Sequence, residues 1–162
     1  MEEVVSTRAV HFPEDAEFLL AVYRSTRQDE ITGFGWTGTQ ADAFVALQYE
    51  AQSRHYGACF PDAEHSVVLV DGRAAGRMLV ERSESAVHIV DISLLPSFQR
   101  AGVGGELVHG LLDEADNRGV AVTCHVYVGN DALPFWERLG FVAVENKGAY
   151  IALERPCGIS RH

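Results

Sequence analysis

The sequence predicts a mixed α/β domain, one sheet with helices on both faces. Three observations carry that reading. Two β-branched and apolar runs, Ser66 to Val70 and Ala74 to Val80, flank Asp71-Gly72, a strong short-range hairpin signal, and Ala86 to Leu95 follows as a third consecutive strand. A glycine-rich turn then joins that strand to Leu107, Val108, Leu111, Leu112 and Ala115, which recur at helical spacing. Shorter strand and helix signals alternate to the end, giving the order β-α-α-β-β-β-α-β-α-β-β.

Taken in order, Thr7 to Phe12 reads as a first strand. Pro13-Glu14-Asp15 opens a helix with Phe18, Leu19, Val22 and Tyr23 at helical spacing, its acids in the first turn where the dipole favours them. Thr26 to Gly38 is polar and glycine-rich and reads as a loop. Its Phe34 and Trp36 either line a pocket or pack down on the core. Thr39 reads as an N-cap with Asp42 three residues on, opening a helix to about Tyr56 with an apolar stripe of Ala43, Phe44, Leu47 and Ala51. Beside that stripe, Gln48, Gln52, His55 and Tyr56 share a polar-aromatic face, which serves either a substrate or solvent.

The helix after the glycine turn runs to about Asn117 and stops at Gly119, a natural C′ residue. Val120 to Val128 is a strand, Asn130 to Leu139 a short helix closed by Gly140, and Phe141 to Val144 with Ala149 to Leu153 a final hairpin. Ala149 to Leu153 is expected at a sheet edge, where it can pair across a homodimer. Residues 1–155 form a single domain, and a tail of residues 156–162 is expected to fray from Pro156.

Composition narrows the class. The 162 residues suit one core, and 47% apolar with 22% charged residues is the balance of a soluble globular chain. No apolar run approaches the roughly 20 residues a bilayer span needs, so no membrane partner is expected. The acidic start, Met-Glu-Glu-Val-Val, is unlike a secretion signal, and Cys59, Cys124 and Cys157 form no C-x-x-C, so a reducing cytoplasm is expected, with no metal. Net charge is −10, and Lys147 is the single lysine among thirteen basic residues, which argues against nucleic acid. The acidic field attracts a cationic amine or merely keeps the chain soluble.

The glycine turn, Leu94-Leu-Pro-Ser-Phe-Gln-Arg100-Ala-Gly-Val-Gly-Gly105, carries the chemistry. A helix N-terminus offers unpaired N–H groups and the positive end of a dipole, and glycines let an anion approach them, so the turn reads as a pyrophosphate cradle. Gly102-Val103-Gly104 is followed by Leu107 where a dinucleotide fingerprint needs its third glycine, and no Gly-Lys-Ser/Thr makes a P-loop. H-E-x-x-H and G-x-S-x-G are absent too, which removes the zinc- and serine-hydrolase readings.

Gln99-Arg100-Ala101-Gly102-Val103-Gly104 resembles the Q/R-x-x-G-x-G/A signature of the GNAT N-acetyltransferase superfamily. His125 to Phe141 is similar to that family's H-V-x-x-x-N-x-A-x-x-x-Y-E-x-L-G-F motif. The resemblance spans about Pro13 to Glu154 and is specific over Val87 to Phe141. It implies a mostly antiparallel sheet of six or seven strands, whose central parallel strands splay apart around Ile92 and Val126. It implies acetyl-CoA as co-substrate. Backbone near Leu94 and Leu95 would pair with the pantetheine arm, Arg100, Ala101, Gly102, Val103, Gly104 and Gly105 would hold the pyrophosphate, and Asn130 and Trp136 would contact the cofactor. Asn130 can equally cap the following helix.

The implied activity is acetyl transfer to a primary amine, on a small molecule or a peptide, by direct attack in a ternary complex. The alternative is a CoA- or acyl-CoA-binding module with little catalysis. An alkylammonium with a pKa of about 10.4 must lose its proton before it attacks, the oxyanion needs a donor, and the thiolate needs a proton. His125 matches a family position that in some members carries a basic carboxylate, and imidazole suits base work near neutrality. Asp91, on the opposite strand, is the second candidate base, with an ion pair as its structural alternative. His88 and Glu81 read as a solvated face. Trp36, Gln52, His55 and Tyr56 are the candidate acceptor-binding residues. The sequence departs from the family in having Trp136 where a tyrosine usually protonates the thiolate, because indole is no general acid. Tyr127, Tyr56, Tyr150 or solvent is then left to supply that proton.

Overall fold

The computed structural model describes residues 3–99, 101–128 and 132–158. In chain order the elements are β1 (Val5–Ala9), α1 (Ala16–Thr26), α2 (Gln28–Gly33), α3 (Gly38–Cys59), β2 (Glu64–Val70), β3 (Arg73–Arg82) and β4 (Ala86–Leu94), then a 3-10 turn at Pro96–Phe98. They continue with α4 (Val103–Arg118), β5 (Ala121–Tyr127), α5 (Leu133–Arg138), β6 (Val142–Asn146) and β7 (Tyr150–Arg155).

The strands form one seven-stranded sheet in the order β1-β2-β3-β4-β5-β7-β6, antiparallel throughout except for the parallel β4–β5 pair. The β2–β3 hairpin turns where expected, with Asp71 and Gly72 both at positive φ as a tight turn between twisted strands demands. β1 lies slightly earlier than its apolar residues suggest, because its register against β2 runs from Val5 opposite Val70 to Ala9 opposite Ser66.

Alternation along β3 puts helices on both faces. Met78 joins the main core with α4 residues Val103, Leu107, Val108, Leu111, Leu112 and Ala115. Its neighbour Arg77 points the other way and hydrogen-bonds Gln52 of α3, so α3 and α4 lie on opposite faces. A smaller core of Tyr23, Ile31, Ala41 and Val45 binds α1, α2 and α3 to one another.

Several expectations are corrected. The segment read as a loop contains α2, a short helix with Asp29 and Glu30 in its first turn and one buried anchor, Ile31. The cap expected of Thr39 does not form. α3 begins at Gly38 after Thr37, with no side-chain cap, and Asp42 pairs with Arg24 of α1 at 2.5 Å. The inward face of α3 matches the expected stripe only at Phe44: Ala41 and Val45 are buried, Phe44, Tyr49, Gln52 and Tyr56 half-buried, while Ala43, Leu47 and Ala51 are exposed. β7 is not an edge, since it pairs with β5 on one side and β6 on the other, leaving β1 and β6 outermost. Of the tail, Gly158 is held, its N–H donating to Asp116 Oδ1 at 2.6 Å beside the Arg155–Asp116 ion pair, while residues 159–162 lie outside the described residues.

Candidate active site

The site begins at a defect in the sheet. In β3–β4 the register slips between Leu79 opposite Asp91 and Val80 opposite Ile89, so Val90 is an extra residue, a bulge that bends β4. β4 and β5 pair only from Ala86–Ala121 to Ile89–Cys124. Past that rung β4 stays with β3 (Ser93 opposite Arg77, Leu94 opposite Gly76), while His125, Val126 and Tyr127 stay with β7. The two parallel strands therefore part company, and the gap opens beside Ile92 and Val126.

Gly76 secures the β4 side. A Cβ there would overlap the Ser93 carbonyl oxygen and meet Leu94 Cα at 2.9 Å, so the strands can approach this closely only because the residue is glycine. Leu95 N–H donates to the Ala75 carbonyl at 2.8 Å, and the Leu94 carbonyl accepts from Gln99 Nε2 at 2.9 Å. Both groups are thus engaged within the protein.

The glycine turn leads into α4. Gly102 sits before the helix at φ 81°, and its carbonyl receives the first helical bond, from Glu106 N–H, at 3.0 Å. The amides of Val103, Gly104 and Gly105 precede any intrahelical acceptor and project from the N-terminus. Nothing lies within 4 Å of where a Cβ would stand at Gly102 or Gly105, and at Gly104 the nearest atom is Phe135 Cζ at 3.7 Å. Backbone donors with no side chain over them fit a diphosphate. Ala101 is exposed beside them. Arg100 and Asn130, both expected to touch the cofactor, lie outside the described residues. Trp136 is half-buried and packs edge-on against Phe135 and Phe141, each at 5.1 Å between centroids.

On the opposite sheet face an aromatic series crosses the gap. Phe60 stacks on His88 at 5.3 Å, His88 meets His125 edge-on at 5.4 Å, His125 meets Tyr150 at 6.4 Å, and Tyr127 lies against Tyr150 at 4.6 Å with their hydroxyls 3.3 Å apart. His125 is exposed, the first residue of β5 past the last rung. Its pKa is lowered, by partial burial first and then by Lys147, which favours the neutral imidazole that a base requires. His88, expected on a solvated face, is instead half-buried, with Nδ1 2.7 Å from Thr123 Oγ1, and burial brings its pKa down to about 4. Burial also raises the Cys124 thiol to about 12, so this cysteine is no nucleophile.

Asp91 takes the structural alternative. Its Oδ2 accepts from Arg77 Nε at 2.8 Å and lies 2.7 Å from Nη2, and its Oδ1 accepts from Ser93 Oγ at 2.9 Å. A carboxylate committed on both oxygens serves Arg77 as counter-ion and is poorly placed to take a proton from a substrate. Of the expected acceptor residues, Gln52 and Tyr56 join this network, since Arg77 Nη2 donates to Gln52 Oε1 at 2.6 Å and its guanidinium lies 5.8 Å from the Tyr56 ring. Burial, then the Asp91 charge, raises the Tyr56 pKa and keeps its phenol protonated. His55 is exposed beside Cys59, and Trp36 packs on Phe44 at the smaller core and stacks on the exposed Phe34.

Sequence reasoning missed Arg77, Gly76 and Phe60. The signal for the first two was present, a charge and a glycine inside an otherwise apolar strand. Among the described residues no group of three or more His, Cys, Asp or Glu side chains could hold a metal ion, and no helix is long and apolar enough to cross a membrane.

The acetyltransferase (GNAT) domain model matches residues 37–150. Solved structures share the fold. PaiA N-acetyltransferase from Thermoplasma acidophilum, in complex with coenzyme A, is 15% identical with a TM-score of 0.69, over 94% of this chain and 99% of its own. The ribosomal-protein-S18-alanine N-acetyltransferase from Escherichia coli is 16% identical with a TM-score of 0.60, over 98% and 97%. An Arabidopsis thaliana protein in complex with the bisubstrate analogue CoA-Ac-MVNAL is 15% identical with a TM-score of 0.56, over 93% and 96%. No curated protein sequence matches.

Proposed function

Because this chain belongs to the GNAT acetyltransferase family, we propose that it transfers the acetyl group of acetyl-CoA to a primary amine, on a small molecule or a peptide, by direct attack in a ternary complex. The observation that carries this is the parting of β4 and β5 after Ile89 and Cys124, with the bare N-terminus of α4 on one side and the His125 imidazole on the lip. The amides of Val103, Gly104 and Gly105 hold the diphosphate, with Ala101 and Gly102 shaping the turn. Acetyl-CoA supplies an acyl carbon with a good leaving group.

His125 takes the proton that the attacking ammonium must lose. Its lowered pKa leaves it neutral at pH 7, ready to accept. As the N–C bond forms and the C–S bond breaks, the thiolate needs a proton that Trp136 has none to give. The hydrogen-bonded phenols of Tyr127 and Tyr150 supply it, Tyr127 kept protonated first by its bond to Tyr150 and then by burial. Gln52 and Tyr56 line the acceptor side.

A peptide acceptor draws support from similar folds solved with a peptide analogue or named for an alanine of a ribosomal protein. We infer a cytoplasmic setting, supported by three cysteines that form no disulfide. An acceptor screen by mass spectrometry with acetyl-CoA tests the reading: an N-acetylated product supports it. Tight CoA binding without turnover on any amine favours the binding module instead, for which Trp136 in the place of a phenol is the specific argument. Absence of CoA binding overturns both.

A further inference from the structure

Arg77 is a charge in an unusual place. It lies in the middle of β3 with 4% of its surface exposed. Burying a guanidinium is costly unless every neighbour compensates, so its partners indicate what it is for. They come from two other elements, β4 and α3. β3 carries the residue itself, directly opposite Ser93. β4 supplies Asp91, the first residue past the Val90 bulge, gripped by Nε at 2.8 Å and Nη2 at 2.7 Å, with Ser93 holding the other carboxylate oxygen. α3 supplies Gln52, which accepts from Nη2 at 2.6 Å, and the rings of Tyr49 and Tyr56 at 6.0 and 5.8 Å.

The smaller core beneath α3 consists of Tyr23, Ile31, Ala41 and Val45, with Leu20, Trp36, Phe44 and Tyr49 against it, and includes no strand residue. It fixes α3 to α1 and α2. The C-terminal half of α3, which presents Gln52 and Tyr56 toward the parted strands, meets the sheet through Arg77 and through the stack of Phe60 on His88. A guanidinium suits such a joint, because its planar fork holds a carboxylate and an amide at fixed angles while its face covers an aromatic ring.

We propose that Arg77 is the positioning residue of the acceptor wall, pinning the C-terminal half of α3 to β4 just past its bulge and so fixing the distance between the acceptor-binding side chains and the parted strands. This rests on the acetyltransferase reading for its kinetic consequence, but not for its structural one. Misplacing a bound group by about 1 Å costs on the order of 100-fold in rate. The cradle at α4 lies on the other face and is independent of the pin.

Two variants in the full chain, Arg77→Met and Arg77→Lys, test this by kinetics and by hydrogen exchange. Methionine fills much of the same volume without the fork, and lysine keeps the charge without the planar geometry. Arg77→Met is expected to raise the acceptor KM by about 10-fold to 100-fold while leaving the acetyl-CoA KM within about twofold. Arg77→Lys should recover part of the loss. Amides of residues 49–59 should exchange faster in Arg77→Met, with those of α4 unchanged. Equal losses for both substrates, or unchanged exchange over 49–59 in a folded Arg77→Met, would overturn the pin. If the wild-type chain acetylates no amine, the acetyltransferase reading fails, and the exchange result alone decides about Arg77. If Arg77→Met does not fold, the same two readouts on Arg77→Lys decide.

Discussion

Ile89 stands opposite Cys124 at the last rung of the parallel β4–β5 pair, and His125 is the first residue beyond it. The candidate base is thus fixed by the point at which two strands stop pairing. Val90 bulges on one strand, and β7 holds the other.

His125→Ala should lower kcat/KM for the acceptor by about 100-fold, the scale of one lost general base, with acetyl-CoA affinity nearly unchanged. Because the His125 pKa is lowered and the neutral form is the active one, wild-type activity should rise with pH along a limb whose midpoint lies below 6.5. Steady-state kinetics from pH 5 to pH 9 check this, and a limb that persists in His125→Ala assigns the base elsewhere.

Gly105→Glu should fold normally, because a carboxylate in the first turn of a helix is favoured by its dipole, yet weaken CoA binding by roughly tenfold or more. The position has open space, so bulk alone does not disturb the protein. Calorimetric titration with CoA measures it; an unchanged Kd at a normal Tm would mean the cradle is misplaced.

Gly76→Ala should destabilise the chain by about 1–3 kcal/mol, since the added methyl overlaps the Ser93 carbonyl and the relief must come from moving β4. Urea unfolding gives the energy, and the CoA titration should show weaker binding in the surviving folded fraction.

Stability should fall as pH is lowered from about 6.5 toward 4. His65 and His88 are both held near pKa 4 in the folded chain, chiefly by burial, and His65 Nε2 is buried with no hydrogen-bond partner among the described residues. Below 6.5 the unfolded chain takes up protons that the folded chain refuses, so the native state loses ground until the folded pKa is reached. Thermal melts across this range should show the slope, and the double variant His65→Gln/His88→Gln should flatten it. A wild-type Tm that is flat from pH 6.5 to 4 would refute the assignment.

The sequence by itself determined the β2–β3–β4 meander, the glycine turn into α4 and the stop at Gly119. Each rests on local chemistry, namely β-branched runs, a tight turn at Asp71-Gly72, and residues that accept a left-handed backbone. It also identified the family through motifs confined to the β4–α5 region. It could not place α2, whose polar segment carries a single buried anchor, Ile31. Nor could it orient α3, where periodicity placed Leu47 in the apolar stripe and left the face of Gln52 open between substrate and solvent. Only the tertiary structure decided that face, because a buried guanidinium from β3 offers Gln52 a partner and the Tyr56 ring a surface, while Leu47 stands 63% exposed. The same long-range pairing turned Asp91 from a candidate base into a counter-ion. Local sequence fixes backbone geometry, but the partner of a charge from a strand 14 residues away is decided only when the sheet forms.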